Sequence, residues 1–175
     1  MGTVRRLTGL RAEARNRLAH YRDPIAFWRS QGVTIGEDCR LISCNFGSEP
    51  YLVTLGDHVS ATDSAFVTHD GGVWVFRGEW PDADLMAPIA VGDNVFLGSG
   101  CLVMPGVTIG SNVVIGARSL VTRDIPSESV AVGVPARVLR GVDEYRVSAQ
   151  ERMVPTARMD RAEKRVWLER HFGSR

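Results

Sequence analysis

Branched aliphatic residues recur at every sixth position through the middle of this 175-residue chain. Gly follows four of them, and the series consists of Val91, Leu97, Val103, Ile109, Ile115 and Val121. A period of six matches neither the roughly 3.6 residues of an α-helical turn nor the two-residue alternation of a flat strand. The pattern therefore predicts a repeating coil that turns a corner in each repeat.

A second apolar series keeps the same period two residues ahead of the first. It comprises Val95, Cys101, Val107, Val113 and Ile125. We interpret each repeat as a short strand, a tight turn at Gly-Asp-Asn or Gly-Ser-Asn, and another short strand, so that both series stack inside a prism. Burial of each aliphatic side chain contributes about 1.5–3 kcal/mol. This column is expected to supply most of the stability.

Weaker copies of the pattern occur earlier, at residues 33–41, at 55–59, and at Ala61 and Val67. A single coil cannot bury its own apolar face, so interrupted blocks of repeats predict one all-β solenoid with an insertion instead of two domains. We expect the solenoid domain to span residues 33–140. A long loop at 70–88, rich in Gly and Pro and without the period, leaves the prism.

Helical segments are predicted on both sides of the solenoid. Residues 1–32 form a helical cap, with helical composition over Thr3–His20 and a short helix over Asp23–Gln31 that stops at Gly32. Ile25, Phe27 and Trp28 of this short helix would cover the open end of the coils. Residues 141–175 form a helical extension, with an amphipathic helix over Thr156–Phe172. Packing on the protein itself is the simpler interpretation of that helix, and membrane-surface binding is the alternative.

The composition bounds the partners and the compartment. Lys and Arg number 21 against 20 Asp and Glu, and the arginines are dispersed, so nucleic-acid binding has little electrostatic support. Neither a bilayer-spanning apolar run nor a signal peptide is evident, so we expect no transmembrane segment and a cytoplasmic location. Three cysteines without a CxxC spacing give little reason to expect a metal.

Four separate segments occur in the order typical of one superfamily. They are 48–56 (SEPYLVTLG), 68–72 (THDGG), the regular coils, and the pair 121–126 (VTRDIP) and 133–137 (GVPAR). Over about 33–140 the chain resembles the hexapeptide-repeat acyltransferases, in their sugar and polysaccharide O-acetyltransferase branch. This resemblance implies a left-handed parallel β-helix. The handedness comes from the resemblance alone, since parallel crossovers are otherwise almost always right-handed.

The resemblance implies transfer of an acetyl group from acetyl-CoA directly to a hydroxyl of a sugar or glycan precursor, without a metal. It makes His69 the general base, and His69 differs from the other three histidines in ending a coil immediately before the loop. Imidazole suits this role because its pKa ordinarily lies near working pH. Base catalysis of this kind supplies roughly 10² to 10⁴ in rate.

The donor site is likewise implied by the resemblance. The turn at Ser99 is expected to hold the oxyanion through backbone N–H groups, and Ser99 and Ala117 are expected to bind pantetheine. Arg123, Arg137 and Arg140 are expected at the nucleotide phosphates, because guanidinium groups donate two hydrogen bonds at once. The resemblance also implies a homotrimer with active sites between subunits, in which His69 of one chain faces the Ser99 turn of another.

Acceptor recognition remains open between two interpretations. Trp74, Arg77 and Trp80 offer aromatic faces and hydrogen-bond donors to a sugar, and Asp63 or Asp70 would bind hydroxyls or orient His69. Alternatively, the two tryptophans anchor the loop on a neighbouring subunit.

Competing functions also remain. A zinc carbonic anhydrase on the same prism requires three His ligands, and the coil region contains two, His58 and His69. A non-catalytic assembly protein of this fold, a serine acetyltransferase and an amino-sugar N-acetyltransferase are the other candidates. The sequence names neither the sugar and its hydroxyl nor the length of the acyl chain.

Overall fold

The computed structural model describes residues 22–173, which divide between two compact units, residues 22–142 and 143–173. The first unit begins with helix α1 (Pro24–Ser30), and Asp23 caps it by accepting a hydrogen bond from the backbone N–H of Ala26 at 2.9 Å. The predicted short helix and its N-cap are therefore confirmed. The helix predicted over Thr3–His20 lies outside the described residues.

Fifteen short strands follow α1 within the described residues. They are β1 (Thr34–Ile35), β2 (Arg40–Ile42), β3 (Val53–Leu55), β4 (Val59–Thr62), β5 (Ala65–Phe66), β6 (His69–Asp70), β7 (Leu85–Met86), β8 (Ile89–Val91), β9 (Val95–Leu97), β10 (Leu102–Val103), β11 (Thr108–Ile109), β12 (Val113–Ile115), β13 (Leu120–Val121), β14 (Ser129–Gly133) and β15 (Ala136–Gly141). Two short 3₁₀ helices, Pro50–Leu52 and Gly71–Phe76, lie between them.

Thirteen of the strands form three sheets that the chain visits in turn, and β6 and β7 form a separate two-stranded sheet. Sheet I has the order β1-β3-β8-β11, sheet II the order β15-β14-β12-β9-β4-β2, and sheet III the order β13-β10-β5. Pairing is parallel throughout these sheets except between β14 and β15. Each coil therefore contributes one strand to each sheet, and the chain turns three corners per coil.

The register explains the period of six. Val91 pairs with Ile109, Leu97 with Ile115 and Val103 with Val121, in each case eighteen residues further along the chain. Three six-residue repeats thus make one coil, and the predicted repeating coil is confirmed by its parallel coil-to-coil pairing.

Both apolar series point into the core. Every member of the two series is buried, and the gap in the second series is filled by the buried Ser119, whose Oγ accepts a hydrogen bond from the backbone N–H of Gly133 at 3.1 Å. A buried hydroxyl at this position is satisfied by the next coil, so the apolar column tolerates it.

Two details of the core differ from the prediction. Phe66, and not Val67, is buried and pairs with Val103, because the turn after Ala61 is one residue shorter than in the regular coils. Cys44, which belongs to neither apolar series, is also buried. Phe66 stacks on Phe46 with ring centroids 4.7 Å apart.

Helix α1 covers this aromatic end of the core, as predicted. Trp28 packs on Phe46 with ring centroids 4.8 Å apart, and Ile25 also contacts the core. The helix thereby shields apolar surface that the first coil would otherwise expose.

Polar side chains stack along the corner between sheets I and II. His58, Asn94, Asn112 and Glu128 each adopt a left-handed backbone conformation there. His58 bonds to Asn94 at 2.9 Å, Asn94 donates to Asn112 at 2.7 Å, and Asn112 donates to Glu128. Asn and Asp tolerate this conformation better than most residues, which explains why the turn sequence ends in Asn.

The second unit contains α2 (Val142–Gln150), which begins at the last residue of the first unit, and α3 (Arg161–Phe172). Helix α3 starts later than predicted because Asp160 and Glu163 form a capping box at its N-terminus. Helix α2 lies within the predicted helical extension, for which the sequence predicted bounds only for the later helix. Within residues 22–173 no helix is both long and apolar enough to cross a bilayer.

Replacing Ile109 by Ala tests the buried column. Ile109 is buried and its neighbour Thr108 is exposed on the same strand. We expect Ile109→Ala to lower the free energy of unfolding by about 2–5 kcal/mol and Thr108→Ala by about 1 kcal/mol or less. Urea denaturation measures both. Equal effects of the two substitutions on the free energy of unfolding would contradict the assignment of Ile109 to the buried apolar column.

Candidate functional site

His69 lies at the base of the long loop. Strand β6 pairs antiparallel with β7, with His69 opposite Met86, and this hairpin leaves the coils at the corner between sheets III and I. The side chain of His69 is 43% exposed. The sequence-predicted base is therefore held by backbone pairing while its imidazole remains accessible from outside.

A carboxylate that the sequence analysis did not single out contacts this imidazole. Oε2 of Glu49 lies 3.0 Å from Nδ1 of His69 and accepts a second hydrogen bond, of 3.0 Å, from the Thr68 hydroxyl. Hydrogen bonding from Ser48, and then from His69 and Thr68, holds the pKa of Glu49 below its ordinary value against the opposing effect of partial burial. Glu49 is therefore a carboxylate held in its charged form beside His69.

The register of the first coil is the signal that would have found Glu49. Thr34 pairs with Thr54 and Arg40 with Ser60, so this coil is twenty residues long and not eighteen. Residue 49 precedes residue 69 by the same twenty residues, which places it one coil below. In the sequence, Glu49 stands out only as part of the SEPYLVTLG segment.

The two carboxylates that were predicted near His69 form no hydrogen bond or ion pair with it in the described part of the chain. Asp70 accepts a hydrogen bond from the backbone N–H of Gly72 at 2.8 Å and caps the 3₁₀ helix Gly71–Phe76. Asp63 occupies the turn between β4 and β5 with φ of 49°. Among residues 22–173, the carboxylate that pairs with His69 is Glu49. A role of Asp63 or Asp70 toward an acceptor stays a prediction.

Arg77 holds the loop together. Its Nη1 donates to the carbonyl oxygens of Pro81 at 2.9 Å and Ala83 at 2.7 Å, and its Nη2 contacts Asp84 at 3.1 Å. Trp74 lies 73% exposed at the surface of the loop, and Trp80 is packed beside a neighbouring phenylalanine of the loop. The loop thus presents indole surface on a frame that Arg77 closes.

The predicted donor residues Ser99 and Ala117 stack at another corner, between sheets II and III. They are eighteen residues apart, and the Ser99 carbonyl accepts a hydrogen bond from the N–H of Arg118 at 2.9 Å. A Cβ on Gly98 would overlap the backbone of Ala117, so the two turns approach closely only because residue 98 is Gly.

At this corner, backbone N–H groups that donate to a carbonyl oxygen alternate with N–H groups that have no acceptor in the described part of the chain. The N–H groups of Gly98, Gly100 and Gly116 donate to carbonyl oxygens of neighbouring coils. Those of Ser99 and Ala117 have no acceptor within residues 22–173. Since successive strands lie about 4.8 Å apart, the corner offers two stacked donors to a ligand that carries carbonyl groups.

The three predicted phosphate-binding arginines lie near the last coils. Arg123 follows β13 and is exposed, while Arg137 and Arg140 belong to β15, the second strand of the β14–β15 hairpin. Arg137 is exposed and donates to the carbonyl of Ala136 at 2.8 Å, and Arg140 is half-buried. Their binding role stays a prediction.

His69, the predicted base, does not meet the predicted acetyl-CoA site at Ser99 and Ala117, here called the donor corner, within one chain. His69 lies at the III–I corner and Ser99 at the II–III corner, so the full width of sheet III separates them. A face about five extended residues wide spans on the order of 15 Å. One acetyl group cannot contact both corners of the same chain.

The described residues contain no cluster suited to a metal. No group of three or more His, Cys, Asp or Glu side chains converges within residues 22–173. The three-His site required by the carbonic anhydrase alternative is therefore not formed in this part of the chain.

Comparison with known proteins gives one family and several acetyltransferases. The model of the bacterial transferase hexapeptide family (six repeats) matches residues 88–123. Protein CapG of Staphylococcus aureus is 43% identical over 148 residues, which cover 82% of this chain and 86% of CapG. Galactoside O-acetyltransferase of Escherichia coli K12 is 38% identical over 125 residues, 69% of this chain and 60% of that protein.

One similar solved structure contains coenzyme A. A galactoside acetyltransferase in complex with coenzyme A superposes with a TM-score of 0.57 and 33% identity, covering 69% of this chain and 70% of that chain. Coenzyme A is therefore a ligand of a protein that shares this arrangement of coils.

The lowered pKa of Glu49 predicts a pH dependence of stability. Because the carboxylate titrates lower in the folded chain than its ordinary value of about 4.5, its charged form stabilises the fold above that pH, and this contribution is lost as the pH falls through the folded pKa. Comparing wild type with Glu49→Gln by urea denaturation from pH 5 to pH 3, we expect the stability difference to shrink. A difference that stays constant would contradict the hydrogen-bonded carboxylate.

Proposed function

This chain is an acetyltransferase of the hexapeptide-repeat superfamily, and we propose that it transfers an acetyl group from acetyl-CoA to a hydroxyl of a sugar or glycan precursor. The observation that carries the proposal is the accessible imidazole of His69 at the base of the loop, beside a prism with a donor corner of free N–H groups. The sugar O-acetyltransferase relatives support a carbohydrate acceptor.

We infer that the coils wind in a left-handed sense, as the resemblance implies. The structure shows a parallel three-strand coil of eighteen residues, and the hand of the coil is taken from the superfamily. The general preference of parallel crossovers is right-handed, so this part of the proposal depends on membership in the superfamily.

In the proposed reaction the imidazole of His69 removes the hydroxyl proton as the oxygen attacks the thioester carbonyl. The new C–O bond forms, the C–S bond then breaks, and the thiolate of coenzyme A takes the proton back from the imidazolium. An acetyl ester and coenzyme A are the products, so atoms and charge balance without an acyl-enzyme. General base catalysis of this type supplies roughly 10² to 10⁴ in rate.

The donor is proposed to lie along the II–III corner. The free N–H groups of Ser99 and Ala117 match carbonyl acceptors on pantetheine, and the N–H of Ser99 would stabilise the oxyanion of the tetrahedral intermediate. Arg123, Arg137 and Arg140 supply positive charge toward the nucleotide phosphates. A cytoplasmic location, where acetyl-CoA is available, is part of the same proposal.

A homotrimer would complete the site. The outer face of sheet III carries the apolar side chains of Ala65, Leu102 and Leu120, whereas the outer face of sheet I carries exposed threonines. If sheet III faces a three-fold axis, the III–I corner of one chain lies next to the II–III corner of the neighbouring chain. His69 of one chain is then brought to the Ser99 corner of the next.

The acceptor is proposed to bind between the loop and this shared corner. The exposed indole of Trp74 offers a flat surface to a sugar ring, and Asp63 and Asp70 offer acceptors to its hydroxyls. Arg77 would contribute by holding the loop in shape through its carbonyl contacts. Packing of the tryptophans on a neighbouring subunit is the other arrangement compatible with their exposure.

Thiol release tests the proposed function. With acetyl-CoA and a panel of sugars, sugar nucleotides, amino sugars and serine, we expect release of coenzyme A with sugar hydroxyl acceptors. His69→Ala should lower kcat by about 10² to 10⁴. His58→Ala is the matched control, since His58 lies in the polar stack at the I–II corner, and it should retain activity.

Two results would overturn the proposal. One is thiol release that survives in His69→Ala, and the other is release that depends on an amine acceptor alone. The second result would favour the amino-sugar N-acetyltransferase alternative.

A further inference from the structure

We propose that Glu49 is a positioning residue that holds His69 with its proton on Nδ1, so that Nε2 is the nitrogen that acts as the base. The inference rests on the proposed function for its catalytic consequence. The carboxylate assigned to this role follows from the contacts of the described residues, and neither Asp63 nor Asp70 has those contacts.

Thr68 holds the Glu49 carboxylate in place. Its Oε2 accepts a hydrogen bond from the hydroxyl of Thr68, and Thr68 has no exposed surface. The Glu49 side chain itself is 13% exposed, against 43% for His69. A carboxylate tied to a buried hydroxyl has few alternative rotamers, so it defines a direction for the imidazole that contacts it.

The charge on Glu49 determines which nitrogen of the His69 imidazole carries the proton. An ionised carboxylate can only accept hydrogen bonds, and Glu49 is held in its charged form by its hydrogen-bond donors. The 3.0 Å contact between Oε2 and Nδ1 therefore requires a proton on Nδ1. In a neutral imidazole the other nitrogen then carries a lone pair, and Nε2 is free to accept the hydroxyl proton.

Glu49 also stabilises the positive charge that develops on the His69 imidazole during the proposed reaction. When Nε2 takes a proton, the ring becomes an imidazolium, and a carboxylate 3.0 Å from Nδ1 stabilises that charge by a charge-assisted hydrogen bond. Ser48, whose hydroxyl lies 3.5 Å from Nδ1, contacts the same edge of the ring. Both groups therefore leave the Nε2 edge clear for a substrate.

The length of the first coil places Glu49 beside His69. The first coil has two residues more than the regular coils, and the extra length lies in the segment before the 3₁₀ helix Pro50–Leu52. Asn45 still bridges to Ala65 in the twenty-residue register. Glu49 thus comes directly below His69 without disturbing the neighbouring strands.

The experiment uses nitrogen NMR of the full-length protein labelled at histidine, which reports the tautomer of His69 directly, together with steady-state kinetics. His69 resonances are assigned by their loss in His69→Ala. We expect the Nδ1–H tautomer in wild type and its loss in Glu49→Ala, because that variant has no side-chain oxygen to accept the Nδ1 proton. The Nε2–H tautomer in wild type would overturn the inference.

Kinetics test the catalytic consequence. We expect Glu49→Gln to lower kcat by at least about 10-fold, and up to the roughly 10⁴-fold seen where an orienting carboxylate is replaced by its amide, with KM for acetyl-CoA unchanged. Glu49→Asp should recover part of the loss. Glu37→Gln is the matched control, since Glu37 is an exposed carboxylate paired with Arg29, and it should leave kcat within about 2-fold of wild type.

The outcomes separate the two proposals. Wild-type transfer that depends on His69 but not on Glu49 overturns the inference and leaves the proposed function intact. Absence of transfer in wild type overturns the proposed function, and the tautomer then still decides whether Glu49 orients His69. An unchanged His69 tautomer in Glu49→Ala would also contradict the positioning role.

Discussion

Parallel hydrogen bonding between successive coils at an eighteen-residue register is the constraint on which the rest of the structure depends. Backbone N–H groups of one coil donate to the carbonyls of the next, and the two apolar series stack because the register repeats. A shift of one residue would turn the buried face of a strand outward. The long loop respects this constraint, since Leu55 still pairs with Val91 on its far side.

The proposed catalytic residues lie where the chain departs from the regular register. The first coil gains two residues and places Glu49 below His69, and the loop departs immediately after His69. At the II–III corner the regular coils leave the N–H groups of Ser99 and Ala117 without acceptors. Regular stacking thus forms the proposed donor site, and irregular segments position the proposed base. Because the width of sheet III separates the two, a second copy of the chain is proposed to unite them.

Much of this arrangement could be predicted from the sequence because the period of six is strong. The buried series from Val91 to Val121, the capped helix at Asp23 and the departure of the loop at His69 all follow from local pattern. Phe66 was missed because a turn shorter by one residue breaks the count, and helix α2 carries no comparable pattern. Glu49 was missed because its contact depends on the length of a coil, which is visible only once strands are paired.

Mixing two inactive variants tests the shared active site most directly. One variant carries His69→Ala and the other carries Ala117→Trp, which fills the proposed donor corner, and the two are unfolded together and reassembled in equal amounts. If a site takes its base from one chain and its donor corner from another, about a quarter of the sites in randomly mixed trimers regain both intact parts, and thiol release should return to about that fraction of wild type. Mixed protein that remains as inactive as each variant alone, while a wild-type sample treated in the same way recovers its activity, would contradict a site built between chains.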